Sequence, residues 1–219
     1  MRKKSNTLPA HLKITVEEAT VIIKINKRDS GRGVLVTGDI ILTVAHLFDY
    51  CEVVRAQGNF AQIIETRTGG LFVATLLAIE PLADIAVLGA LECDQLQRPF
   101  KSFREKTIPL RLSSERFKLD QPFPVHVFTS EWVRGSATQT SPHAHSLRVE
   151  FEKPIKGGTS GSAIVNDAGE IVGLISIGRG TSRKKIDAMP SDAAPAPCPH
   201  LALPVWAVQR ITKQKVKAR

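Results

Sequence analysis

Short runs of Val, Ile, Leu, Thr and Phe recur about every ten residues along this chain, separated by Gly, Asn, Asp or Pro. In the first half they are Thr20 to Ile25, Gly33 to Thr37, Ile40 to Val44, Cys51 to Ala56, Leu71 to Ile79 and Ile85 to Leu88. In the second half they are Thr107 to Leu112, Phe123 to Thr129, Trp132 to Thr140, Ser146 to Phe151, Ala163 to Asn166, Glu170 to Ile177 and Leu201 to Val205. Short apolar runs bounded by turn formers read as strands, and strands at this spacing predict an all-β barrel or sandwich. Asp167-Ala168-Gly169-Glu170 sits between two runs and predicts a hairpin turn, with Gly169 supplying a positive φ. Glu92 to Lys106, with Pro99 and mixed charges, breaks the pattern and reads as a connector. Arg179 to His200, with Pro190, Pro195, Pro197 and Pro199, reads as an exposed loop. After Pro204, the spacing of Val205, Val208 and Ile211 predicts a short closing helix.

At 219 residues, the chain holds one sizeable domain or two small halves around a shared boundary. The pattern predicts an extension over 1–17, a β half over 18–100, a linker over 101–120 and a second β half with its helix over 121–212. A basic tail over 213–219 follows. Hydrophobic residues at 42% and charged residues at 23% exclude a largely disordered chain or a coiled coil. The net charge of +9 suggests nucleic acid or an acidic surface until it is located. Arg2, Lys3, Lys4, Arg183, Lys184, Lys185, Arg210, Lys213, Lys215, Lys217 and Arg219 lie at the two ends and in one loop. Without those eleven, Lys+Arg falls from 30 to 19, against 21 Asp+Glu. The excess therefore reads as solvated tails, and nucleic acid is not the favoured partner.

No apolar run of signal-peptide length follows Met1, and none approaches the ~18 residues of a membrane span. Three cysteines, Cys51, Cys93 and Cys198, give no disulfide framework. A cytoplasmic location with Cys51 and Cys93 as buried thiols is the expectation.

Three segments carry chemistry together. Gly157-Gly158-Thr159-Ser160-Gly161-Ser162 leads into an apolar run, the arrangement a hydroxyl nucleophile needs if backbone N–H groups are to converge on an oxyanion. Read alone, it is a glycine-rich turn. Thr43-Val44-Ala45-His46 ends a strand, and Asp84 abuts Ile85-Ala86-Val87-Leu88. Alone, each is a commonplace strand-end residue. A serine needs an imidazole base, and the imidazole needs a carboxylate to hold its tautomer. Here they come in the order His46, Asp84, Ser160, two from the first half and one from the second.

With Gly173-Leu174-Ile175-Ser176-Ile177-Gly178, these segments resemble a chymotrypsin-like (trypsin-like) serine protease over about residues 18–212. The resemblance is closest to the bacterial HtrA/Deg peptidase domain, here without a PDZ domain. It implies two six-stranded antiparallel β-barrels with the active site between them. It also implies Ser160 as nucleophile, His46 as general acid and base, Asp84 as orienting carboxylate and the N–H groups of Gly158 and Ser160 as oxyanion hole. Ser176, Ile177 and Gly178 resemble the strand that pairs with an extended substrate, and the Ser176 hydroxyl would support Asp84. Thr159 stands where zymogen-type members carry Asp, and no Ile-Val-Gly-Gly start is present, so zymogen-style activation is not expected. Pro154 and Ile155 occupy the region of the pocket floor, and Ile175 stands where glutamate-selective relatives use His. An apolar pocket for an aliphatic side chain is the expectation.

No cofactor is implied. His143 and His145 at period two lack further ligands for a metal, and His126 has no evident partner. Trp132 and Trp206 read as core anchors. The expected partners are a protein or peptide substrate and an activating or substrate-delivering protein, with the 179–200 loop as a possible gate. Two other readings stand: a catalytically silent binding module on the protease fold, and a nucleic-acid binder using the basic tail.

Overall fold

The structure is a computed structural model that describes residues 8–25, 28–48, 60–81, 84–91, 93–115, 117–139, 147–155, 157–177 and 200–204. Cys51, Leu82, Ala83, His143, His145, Gly178, Cys198 and Trp206, the body of the 179–200 loop, the closing helix and both basic ends lie outside the described residues.

Among the described residues, twelve strands form two closed barrels. The first holds β1 (Thr20–Ile25), β2 (Arg28–Val36), β3 (Ile40–Thr43), β4 (Ala61–Thr66), β5 (Leu71–Glu80) and β6 (Ile85–Gly89), in the order β1-β2-β3-β6-β5-β4. The second holds β7 (Phe123–Phe128), β8 (Trp132–Thr138), β9 (Leu147–Phe151), β10 (Ala163–Val165), β11 (Ile171–Ile177) and β12 (His200–Pro204), in the order β10-β11-β12-β9-β8-β7. Alternation decides which face turns inward. Phe72, Ala74 and Leu76 of β5 are buried, while Leu71, Val73 and Thr75 are not. Leu147 and Val149 of β9 are buried, while Arg148 and Glu150 are exposed. β6 is buried along its whole length. Closure removes the free sheet edges that would otherwise invite pairing with other chains.

Two helices depart from the sequence pattern. The expected extension over 1–17 runs into α1 (Ala10–Ala19), which passes its end by two residues, buries Val16 and Ala19 and leads directly into β1. The expected connector is α2 (Asp94–Lys106), with Pro99 inside it. An internal proline costs a helix about 3 kcal/mol. Burying a phenylalanine returns about 1.5–3 kcal/mol, and α2 buries two, Phe100 and Phe103, each with its ring centroid 5.2 Å from Phe72 of β5. Tertiary packing thus overrides the local breaker.

Other corrections are smaller. Ala61–Thr66 is a strand that the pattern missed. Thr107 to Leu112 is not a strand but a seam with two isolated parallel bridges. Leu110 N–H donates to Leu35 O of the first barrel at 3.0 Å, and Ser113 N–H to Ile171 O of the second at 2.8 Å. One segment thereby stitches β2 to β11. Cys93 is exposed, not buried. His126 is buried and has a partner, Asp167, at 2.9 Å. The turn at 166–170 forms as expected, with Gly169 at φ +76, and Asn166 Oδ1 accepts from the N–H groups of both Ala168 and Glu170. No helix among the described residues is long and apolar enough to cross a membrane.

Candidate active site

β3 and β6 are neighbours, and their register pairs Thr43 with Ala86. The chain leaving β3 therefore runs beside the chain entering β6. Beyond Thr43 a single 3-10 turn, Ala45–Leu47, carries His46, and just before Ile85 stands Asp84. Asp84 has φ +52, a left-handed backbone that costs a non-glycine residue about 1–2 kcal/mol, although short polar side chains accept it most readily.

Hydrogen bonds hold it there. His46 N–H donates to Asp84 Oδ1 at 2.8 Å, and His46 Nδ1 lies 2.8 Å from Oδ2. Ser176 of the second barrel, buried at the end of β11, donates its hydroxyl to the same Oδ2. A carboxylate at Nδ1 requires the proton on that nitrogen, so that in the neutral imidazole Nε2 carries the lone pair.

Burial alone would raise the Asp84 pKa. The hydrogen bonds from the His46 ring, the Ser176 hydroxyl and the His46 N–H, with the charge attraction of His46, outweigh it and leave the pKa below the ordinary aspartate value. A group depressed in the folded state contributes stability above its unfolded-state pKa and loses it as pH falls through the folded value. Thermal unfolding followed against pH should therefore show Asp84→Asn losing its deficit relative to wild type as pH drops below the usual carboxylate range. A deficit independent of pH would contradict this linkage.

The turn from Gly157 to Ser162 lies between β9 and β10. Gly161 N–H donates to Ile175 O at 2.7 Å, Ile175 N–H returns to Ser162 O at 2.9 Å, and Ser162 N–H donates to Thr159 O at 3.0 Å. Gly158 has φ +83 with no atom within 4 Å of where a Cβ would stand, so glycine is needed there for its backbone, not for space. Ser160 O accepts from Arg32 N–H of β2 at 2.8 Å, which ties the turn to the opposite barrel. Ser160 is partly exposed. Among the described residues, no hydrogen bond joins its hydroxyl to His46.

His46, Asp84 and Ser176 are thus brought together, and Ser160 is anchored to the barrel that carries His46. Pro154 is exposed, and Ile155 packs half-buried against the second barrel's core. Ile175 is buried, and Ile177 ends β11 opposite Leu201. Two open cavities of 520 Å³ lie elsewhere, one between α2 and the β4–β5 turn, the other on the outer face of β7–β9. Neither is lined by His46, Asp84, Ser160, Pro154 or Ile155. Sequence reasoning missed the contribution of Arg32. The available signal was Gly31 and Gly33 inside one strand, since glycine in a strand marks close approach of another backbone.

The trypsin-like peptidase domain matches residues 31–174, a span that contains His46, Asp84 and Ser160. The chain belongs to that family. Solved structures agree at the level of fold. Rv3671c from M. tuberculosis H37Rv, as a serine-to-alanine mutant in an inactive form, superposes with a TM-score of 0.60 at 14% identity, covering 92% of this chain and 89% of that one. The Rv3671c protease, also in an inactive form, gives 0.56 at 15% identity, with 90% and 89% covered. No curated protein matches in sequence. The family match ends before Ser176, and the bond from its hydroxyl to Asp84 agrees with the support that the resemblance implies.

Proposed function

We propose that this trypsin-like peptidase is a serine endopeptidase that cleaves protein substrates through an acyl-enzyme. The supporting observation is the hydrogen-bonded line Ser176–Asp84–His46, drawn from both barrels, at the cleft where the Ser160 turn is docked. Ser160 Oγ gives its proton to His46 Nε2 and attacks the peptide carbonyl carbon. The N–H groups of Gly158 and Ser160 receive the developing oxyanion. The C–N bond breaks as His46 returns the proton to the leaving amine, and water repeats the sequence on the acyl ester. Asp84 keeps the imidazole in the working tautomer and stabilises the imidazolium.

On this reading an extended substrate pairs with the backbone of Ser176 to Gly178, and Pro154 and Ile155 border a pocket for an aliphatic side chain. Catalytic hydrogen bonds in resting enzymes are often long and tighten only on binding. A resting enzyme whose Ser160 and His46 align on engaging substrate, or under a protein partner, fits the missing bond between them. A cytoplasmic setting is part of the same reading.

A fluorophosphonate probe should label the folded protein at a single serine, and peptide mass analysis should place the label on Ser160, with Ser160→Ala as the blank. Folded protein that stays unlabelled alone, with peptide substrate and in a native lysate that supplies partner proteins would refute the serine mechanism and leave a binding module on a peptidase fold.

A further inference from the structure

The β2–β3 ladder ends at Val34 opposite Leu42. Beyond that pair the turn at Ser160 and Gly161 docks against β2. Arg32 supplies both of its backbone groups to this seat. Its N–H donates to Ser160 O at 2.8 Å, and its C=O accepts the Thr43 hydroxyl at 2.6 Å. The fit admits no side chain, because a Cβ on Gly161 would stand 1.9 Å from Arg32 O and 2.6 Å from Thr43 Oγ1. Thr43 is fully buried, three residues before His46 on the same strand exit. A side-chain hydroxyl thus continues the tie between β2 and β3 beyond the end of their ladder. The strand that carries the imidazole is thereby coupled to the strand on which the serine turn rests.

We infer that Thr43 is a positioning residue that sets the reach from His46 to Ser160 across the two barrels, through the Arg32 carbonyl. The inference rests on the serine endopeptidase reading for its catalytic consequence, whereas the seat itself is a matter of geometry. Loss of the hydroxyl removes its bond to Arg32 O, and both the serine turn and the base-bearing strand lose a shared reference point. A displacement of about 1 Å at a reacting pair costs up to about a hundredfold in rate. Thr43 need not contact substrate, so the loss belongs in kcat and not in KM.

Thr43→Val keeps the shape and removes the hydroxyl, and Thr43→Ser keeps the hydroxyl. Turnover of a peptide substrate, the rate of fluorophosphonate labelling and amide hydrogen exchange at Arg32 should be measured for both. Thr43→Val should lower kcat and the labelling rate about 30–100-fold with KM little changed, and should speed exchange at the Arg32 amide. Thr43→Ser should restore all three. Wild-type kcat in Thr43→Val, or a loss that Thr43→Ser fails to restore, would overturn the inference while the serine mechanism stands. If wild type itself is not labelled, the serine mechanism fails. Exchange at Arg32 then decides the seat alone: unchanged exchange in Thr43→Val overturns it, and faster exchange upholds it.

Discussion

Asp84→Asn should lower kcat about ten-thousand-fold while the barrels stay folded. Asp84 accepts at both oxygens, from the His46 N–H at Oδ1 and from His46 Nδ1 and the Ser176 hydroxyl at Oδ2. An asparagine has one oxygen to offer. If its oxygen faces the ring, its NH2 opposes the His46 N–H, donor against donor. If its NH2 faces the ring, Nδ1 must become the acceptor, the proton moves to Nε2, and the imidazole can no longer take the Ser160 proton. In either orientation the negative charge that steadies the imidazolium is gone. Asp84 makes its bonds to His46 and Ser176, so KM should change little. Steady-state kinetics beside a circular dichroism melt checks this, and a kcat within tenfold of wild type would show that Asp84 does not govern the tautomer.

Gly161→Ala should remove activity by about a thousandfold or more and also weaken the fold. The two costs have separate origins. Gly161 has φ +86, and an L-residue in the left-handed region costs about 1–2 kcal/mol. The added Cβ would overlap Arg32 O, a backbone atom that cannot swing aside. Overpacking of this kind costs about 1–3 kcal/mol. A total near 3 kcal/mol corresponds to a fall in Tm of about 6–12 °C for a chain of this size. Relief requires Ser160 and Gly161 to lift off β2, which moves the proposed nucleophile Ser160 relative to His46. A Gly161→Ala protein with wild-type Tm and turnover would mean that the turn does not rest on β2 in solution. The contrast with Gly158 is informative, because there the backbone angle is positive but the space is open.

Most strands were legible because side-chain alternation is local. Thr20–Ile25 was bounded to the residue, and Leu71–Glu80, Trp132–Thr138 and Ile171–Ile177 to within one or two. Ala61–Thr66 was missed because Gln62 and Glu65 dilute a run that buries only Gln62 and Ile64. The α2 helix was illegible for a different reason. Pro99 and a charged surface argue against a helix locally, and only the buried Phe72, Phe100 and Phe103 explain why one forms. At the site, His46, Asp84 and Ser160 could be read as letters in motifs. Arg32 itself could not, since what it contributes is a backbone N–H and a backbone C=O, which every residue but proline has; only the flanking Gly31 and Gly33 signalled a close approach.

By itself the sequence determined the two β halves, the turn glycines and the residue types available for chemistry, because period, φ preference and functional groups belong to single residues or near neighbours. Only the tertiary structure decided that β3 lies beside β6 in a register that joins His46 to Asp84, that Ser176 reaches Asp84 from the other barrel, and that Arg32 seats Ser160. These contacts join residues 38, 92 and 128 positions apart, and they depend on how two closed barrels dock, which no local pattern encodes.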